Sequence, residues 1–139
     1  MKNSKSEKIT NFKNNEIVSD LNYDNDKDVL YFDLTNNHFR QIFTINLFDS
    51  SMVKLIDSDS FDHRQISTSR EFYVFSDDRS GIHNLYYVGE NNQGYISNTS
   101  GGSFMPDINC NSEIVYSAFE NGKFKIAIID SIEIADASN

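Results

Sequence analysis

Glu71-Phe72-Tyr73-Val74-Phe75-Ser76-Asp77-Asp78-Arg79-Ser80-Gly81-Ile82-His83-Asn84-Leu85-Tyr86-Tyr87-Val88 decides the fold. Its first part, Phe72 to Phe75, is a short apolar run of aromatic and β-branched residues, which suits an extended strand. The run is nearly continuous rather than alternating, so it predicts a strand covered on both faces. A polar turn ending in Ser80-Gly81 follows, and glycine there can adopt positive φ at no steric cost. A second apolar run, Ile82 to Val88, completes an antiparallel hairpin.

The same pattern occurs twice more. Val29-Leu30-Tyr31-Phe32 and Ile114-Val115-Tyr116 start 43 residues before and 42 residues after Phe72. An acidic residue precedes each run, Asp28, Glu71 and Glu113. Turn signals follow the outer two at Asn36-Asn37 and Asn121-Gly122, and then second strands, Phe39 to Ile45 and Phe124 to Asp130. The segments ahead of the hairpins also correspond. Ile9-Thr10-Asn11 with Ile17 to Leu21 matches Ile96-Ser97-Asn98 with Phe104 to Ile108, 87 residues on.

A period near 42 with four short strands per unit is the pattern of a β-propeller blade. Helical repeats of this length would show apolar residues every three or four positions over long stretches, and none is present. The expected fold is therefore all-β, a partial β-propeller of about three four-stranded antiparallel blades. Strands are expected near 17–22, 28–33, 39–46 and 52–56, then 61–66, 71–76, 82–88 and 94–98. The last unit supplies 104–109, 113–118 and 124–130, with 132–134 as a possible fourth. The blades would span 14–57, 58–100 and 101–139, with an outer strand of a preceding blade, near 8–11, inside 1–13. A closed ring needs at least four blades, about 160 residues at this period, so the expectation is a piece of a longer protein.

Composition narrows the function classes. The 139 residues carry a formal net charge of -9, which argues against a nucleic-acid binder that must neutralise phosphates. With one Cys the chain has no internal disulfide. No apolar run reaches the 18 or so residues of a membrane helix, and residues 1–15 lack the apolar core of a signal peptide.

Ser76-Asp77-Asp78-Arg79-Ser80-Gly81 with Asn84-Leu85-Tyr86 resembles the central hairpin of TolB-type propeller repeats, which are WD-repeat-like. Gly101-Gly102-Ser103-Phe104-Met105-Pro106, followed by Ile114-Val115-Tyr116-Ser117, resembles the next blade of the same family. The family's Ser-Pro-Asp-Gly turn is absent; Asn109-Cys110-Asn111-Ser112 and 22–26 stand in its place. True WD propellers fit less well, since the chain has no Trp. The resemblance implies a bacterial, non-enzymatic platform in the periplasm or cell envelope that binds a protein or peptide. An alternative is the propeller part of a prolyl-oligopeptidase-like serine peptidase whose catalytic domain lies elsewhere. A weaker third reading is a sugar-acting propeller enzyme.

The candidate binding residues are the rim loop Asp77, Asp78, Arg79 and Ser80. Its structural reading is that Asp77 or Asp78 accepts backbone N–H bonds while Gly81 takes positive φ. No catalytic set, metal site or cofactor is expected. Asp24 to Asp28 and Asp57 to Asp62 begin like calcium loops but lack the glycine and glutamate such loops require. His38, His63 and His83 have no metal-ligand spacing and are expected in turns or at the surface. Cys110 is expected to be half-buried and unreactive. Ser103 lacks the second glycine of a nucleophile elbow, Met105 standing there.

Overall fold

The structure, a computed structural model, describes residues 4–36, 39–57 and 60–135. Eleven strands run in chain order: β1 (Ile17–Asp24), β2 (Val29–Thr35), β3 (Arg40–Asn46), β4 (Met52–Lys54), β5 (His63–Thr68), β6 (Tyr73–Asp77), β7 (Asn84–Val88), β8 (Gln93–Tyr95), β9 (Ser103–Ile108), β10 (Ile114–Glu120) and β11 (Lys123–Ile129). They form three antiparallel meanders, β1-β2-β3-β4, β5-β6-β7-β8 and β11-β10-β9. Among the described residues there is no helix.

The sheets stack face to face as propeller blades. Tyr31 and Ile42 of the first sheet meet Ile66, Phe75 and Tyr86 of the second in one buried cluster. Phe72, Val74 and Leu85 of the second meet Ile114 of the third in another. Residues 72–75 thus serve both layers, Tyr73 and Phe75 pointing back, Phe72 and Val74 forward. That is the strand covered on both faces that its apolar run predicts. Phe75, Val74, Ile42, Leu85 and Ile114 are wholly buried, each contributing about 1.5–3 kcal/mol of transfer free energy.

Local chemistry sets the turns. Asn121 (φ 52°) and Gly122 (φ 74°) form the two-residue turn between β10 and β11. Gly81 (φ 95°) donates its N–H to the Asp78 carbonyl at 2.8 Å in the loop between β6 and β7. At the first hairpin the Asn36 N–H bonds the Phe39 carbonyl at 3.2 Å; Asn37 lies outside the described residues.

Each innermost strand also carries a bulge. Asp20, Gln65 and Met105 all have φ between 50° and 61°, and the pairing register breaks beside each. A bulge frees one amide from the ladder, and two of these amides are captured across the blade boundary. The Asp33 carboxylate accepts the Gln65 N–H at 3.1 Å, and Gln65 Oε1 accepts the Met105 N–H at 3.1 Å.

Two expectations change. Residues 132–134 do not add a fourth strand to β11. They turn back to β8, where the Ala135 N–H bonds the Tyr95 carbonyl at 2.9 Å. This course lets Ile132 pack on the cluster around Val74 and Leu85. Residues 8–11 form no strand among the described residues; the N-terminal segment instead sends Phe12 against Phe32, covering the outer face of the first sheet.

Candidate functional site

The turns joining first to second strands lie at the opposite strand ends from the expected rim loop. In each, a small polar side chain bonds the backbone of its own turn. Asp24 Oδ1 accepts the N–H groups of Asp26 and Lys27 at 3.1 and 3.2 Å. Ser69 Oγ accepts the Phe72 N–H at 3.3 Å. Asn109 Oδ1 accepts from Asn111 and Glu113 at 2.9 and 3.0 Å. Side chains that bond their own backbone a few residues on hold such turns in shape.

Blade packing brings these three turns around one open pocket of about 610 Å³. Asp24, Asn25 and Asp26 line it from the first blade, Ser69, Arg70 and Glu71 from the second, Asn109, Cys110 and Ser112 from the third. Arg70 Nε reaches Asp26 Oδ2 at 3.1 Å across the first blade boundary. Three carboxylates line it against Arg70, and Lys27 Nζ, 3.5 Å from Asp24 Oδ2, offsets a second one, so the pocket keeps an excess of one negative charge. No single sequence motif marks it, because its residues come from three turns spread over more than 80 positions.

The expected rim loop is a folded latch. Asp77 is fully buried, and its carboxylate holds the Arg79 guanidinium at 2.9–3.1 Å and the Arg79 N–H at 3.0 Å. Tyr95 donates its hydroxyl to Asp77 at 2.7 Å, and burial with this bond pushes the phenol up to about 12. The guanidinium lies 4.4 Å from the Phe61 ring centroid and 4.1 Å from that of Tyr86. Asp78 Oδ1 accepts the Asp62 N–H at 2.7 Å. The structural reading of Asp77, Asp78 and Gly81 therefore holds; Arg79 and Ser80 are exposed.

One histidine and the cysteine depart from expectation. His63 is wholly buried, with Phe61 and Phe75 at ring distances of 5.7 and 5.9 Å, and among the described residues neither ring nitrogen has a hydrogen-bond partner. Register explains this: as the first residue of β5 it faces the preceding sheet opposite Asp77. Burial pushes its pKa down to about 4, against the pull of Asp77. His83 is half-buried beside Phe104 and Ser76, and His38 lies outside the described residues. Cys110 is exposed rather than half-buried, at the pocket rim.

Asp62, Asp78 and His83 bring ligand-type atoms within 4.8 Å of one another. Asp62 is already engaged by the Arg40 N–H and the Arg64 guanidinium at 2.9 and 2.8 Å. Beside them Asp33, fully buried, is gripped by Arg40, and burial pushes its carboxyl up to about 7 against the Gln65 amide and the Arg64 charge.

No family model matches the chain, and no curated protein matches it. Among solved structures it is similar to the crystal structure of TolB from Acinetobacter baumannii, with a TM-score of 0.67 and 17% identity. The match covers 86% of this chain and 31% of that one. At this identity the likeness concerns the fold, a TolB-like β-propeller segment.

Proposed function

We propose that this chain is a non-enzymatic binding module, a propeller segment whose acidic pocket of about 610 Å³ receives a cationic stretch of a protein or peptide. The observation that carries the reading is the convergence of turns from three blades on one concave surface where Asp24, Asp26 and Glu71 outnumber Arg70 and the Lys27 that pairs with Asp24. Such a surface attracts Lys or Arg side chains and is screened by salt. At the opposite rim, Arg79 and Ser80 supply the accessible part of the expected binding loop, Asp77 and Asp78 being used to shape it. The resemblance of residues 76–86 to TolB-type repeats supports placing the module at the cell envelope.

Fluorescence anisotropy with labelled Lys-rich and Glu-rich peptides tests the reading. The Lys-rich peptide should bind, weaken with salt, and lose about 2- to 10-fold in affinity on joint Asp26→Asn and Glu71→Gln substitution, the scale of exposed ion pairs. Equal binding of both peptides, or indifference to the double substitution, would refute it.

A further inference from the structure

His63, Asp77 and Asn84 pair in one row across β5, β6 and β7. The next residue outward on each strand is Asp62, Asp78 and His83, so these three close the sheet at this end. The main chain keeps them level, the Asp78 N–H bonding the Asp62 carbonyl at 3.1 Å. Neighbours in such a row share a face of the sheet. Ligand-type atoms of all three side chains lie within 4.8 Å of one another, and all three residues are half-buried. Donors at the usual zinc distance of about 2.0–2.2 Å stand about 3.3–3.6 Å apart in a tetrahedron. Capture of an ion therefore asks for a contraction of no more than about 1.5 Å between any two of them.

Groups outside the cluster orient the histidine. The Ser76 hydroxyl donates to the Ser103 carbonyl at 2.7 Å, which uses its one hydrogen. In the 3.3 Å contact between Ser76 Oγ and His83 Nδ1 the imidazole is therefore the donor. That places the proton on Nδ1 and leaves the Nε2 lone pair to act as a ligand, the arrangement metal-bound histidines adopt. The carboxylates are braced too. Asp78 Oδ1 accepts the Asp62 N–H at 2.7 Å, leaving Oδ2 for an ion, and Asp62 Oδ1 accepts the Arg40 N–H at 2.9 Å. The Arg64 guanidinium competes, 2.8 Å from Asp62 Oδ2, but its Nε is buried with no hydrogen-bond partner among the described residues. Arg40 is itself held by Asp33 and Asp20. Two carboxylates against Arg64 leave one negative charge in excess. One imidazole with two carboxylates suits zinc-type ions better than Ca2+ or Mg2+, which favour oxygen ligands alone.

We propose that Asp62, Asp78 and His83 form a binding site for a divalent transition-metal ion of the zinc type, and that the ion displaces Arg64 from Asp62.

The test uses the full chain. Calorimetric titration with Zn2+ should show one equivalent bound, and nitrogen NMR should show the His83 Nε2 resonance shifting while Nδ1 keeps its proton. His83→Gln should weaken binding about tenfold or more. Asp78→Asn, which keeps an acceptor for the Asp62 N–H, should do the same if the histidine variant misfolds. Arg64→Met removes the competitor and should tighten binding. Cys110→Ser, at the opposite rim, should leave the affinity unchanged. No binding at millimolar Zn2+ overturns the proposal. So does binding indifferent to His83→Gln, weakened by Arg64→Met or lost with Cys110→Ser, and so does equal affinity for Ca2+.

Discussion

Two aspartate–arginine pairs sit at opposite rims of this molecule, and they differ in what surrounds them. Asp77 and Arg79 lie 2.9 Å apart with the carboxylate side chain 0% exposed; Asp26 and Arg70 lie 3.1 Å apart with side chains 57% and 85% exposed. Around the first pair, Tyr95 donates to the buried carboxylate, and the Phe61 and Tyr86 rings pack on a guanidinium whose side chain stays 33% exposed. Burial works against the Arg79 charge, but the Asp77 bonds outweigh it and hold the guanidinium above its ordinary pKa. Around the second pair there is solvent, so both side chains can exchange partners. The same chemistry is a structural latch at one rim and an available charge at the other, and burial decides which.

The largest expected effect tests that contrast directly. Asp77→Ala leaves a guanidinium and a phenol without their acceptor and should cost about 3–5 kcal/mol in urea unfolding. Asp26→Ala should cost less than about 1 kcal/mol. Equal losses would break the comparison.

Next in size is the histidine on the latch side of the second blade. With its folded pKa lowered to about 4 from 6.5, His63 stays neutral where the unfolded chain binds a proton. Its contribution is present above about 6.5 and is lost as pH falls towards 4, about 3 kcal/mol at that limit. Asp33 acts in the opposite sense. Its folded pKa is raised, so its contribution is full below about 4 and is lost as pH rises through about 7. The difference between wild type and His63→Phe isolates the histidine: unfolding free energies at pH 7 and pH 4.5 should show the variant gaining relative to wild type on acidification. A constant difference would show that the fold accommodates the His63 imidazolium, its folded and unfolded pKa values coinciding.

The smallest effect sharpens the exposed half of the comparison. Arg70→Ala should change stability by less than about 1 kcal/mol, since the pair is screened and both side chains are free to move. In the same variant the pocket becomes more acidic, so binding of a Lys-rich peptide should strengthen modestly in anisotropy titrations. Weaker binding would mean that Arg70 itself contacts the ligand.

Strands and turns were legible from local chemistry. The aromatic and β-branched runs at Val29, Phe72 and Ile114 became β2, β6 and β10 within two residues of their expected starts, because strand preference and turn geometry act over a few neighbours. Asn121-Gly122 and Gly81 fixed hairpins for the same reason: few residues take positive φ at low cost. The pocket was not legible, because Asp24, Arg70 and Asn109 become neighbours only when blades stack.

Local chemistry specifies an all-β repeat of hairpins and the polar side chains that shape its turns. Which way each strand faces depends on how the sheets pack. The near-equal spacing of 43 and 42 residues conceals a reversal: Val29 and Phe72 point to the following sheet, whereas Ile114 points back to the preceding one. In a strand a shift of one residue exchanges the two faces, so periodicity finds the strand without assigning its sides. The same non-local choice buried His63 opposite Asp77, drew 132–135 to the edge of β8, and left Phe124, Ile126 and Ile128 in solvent. Each outcome depends on which surface a neighbouring sheet covers, and that is settled by contacts between residues distant in the chain.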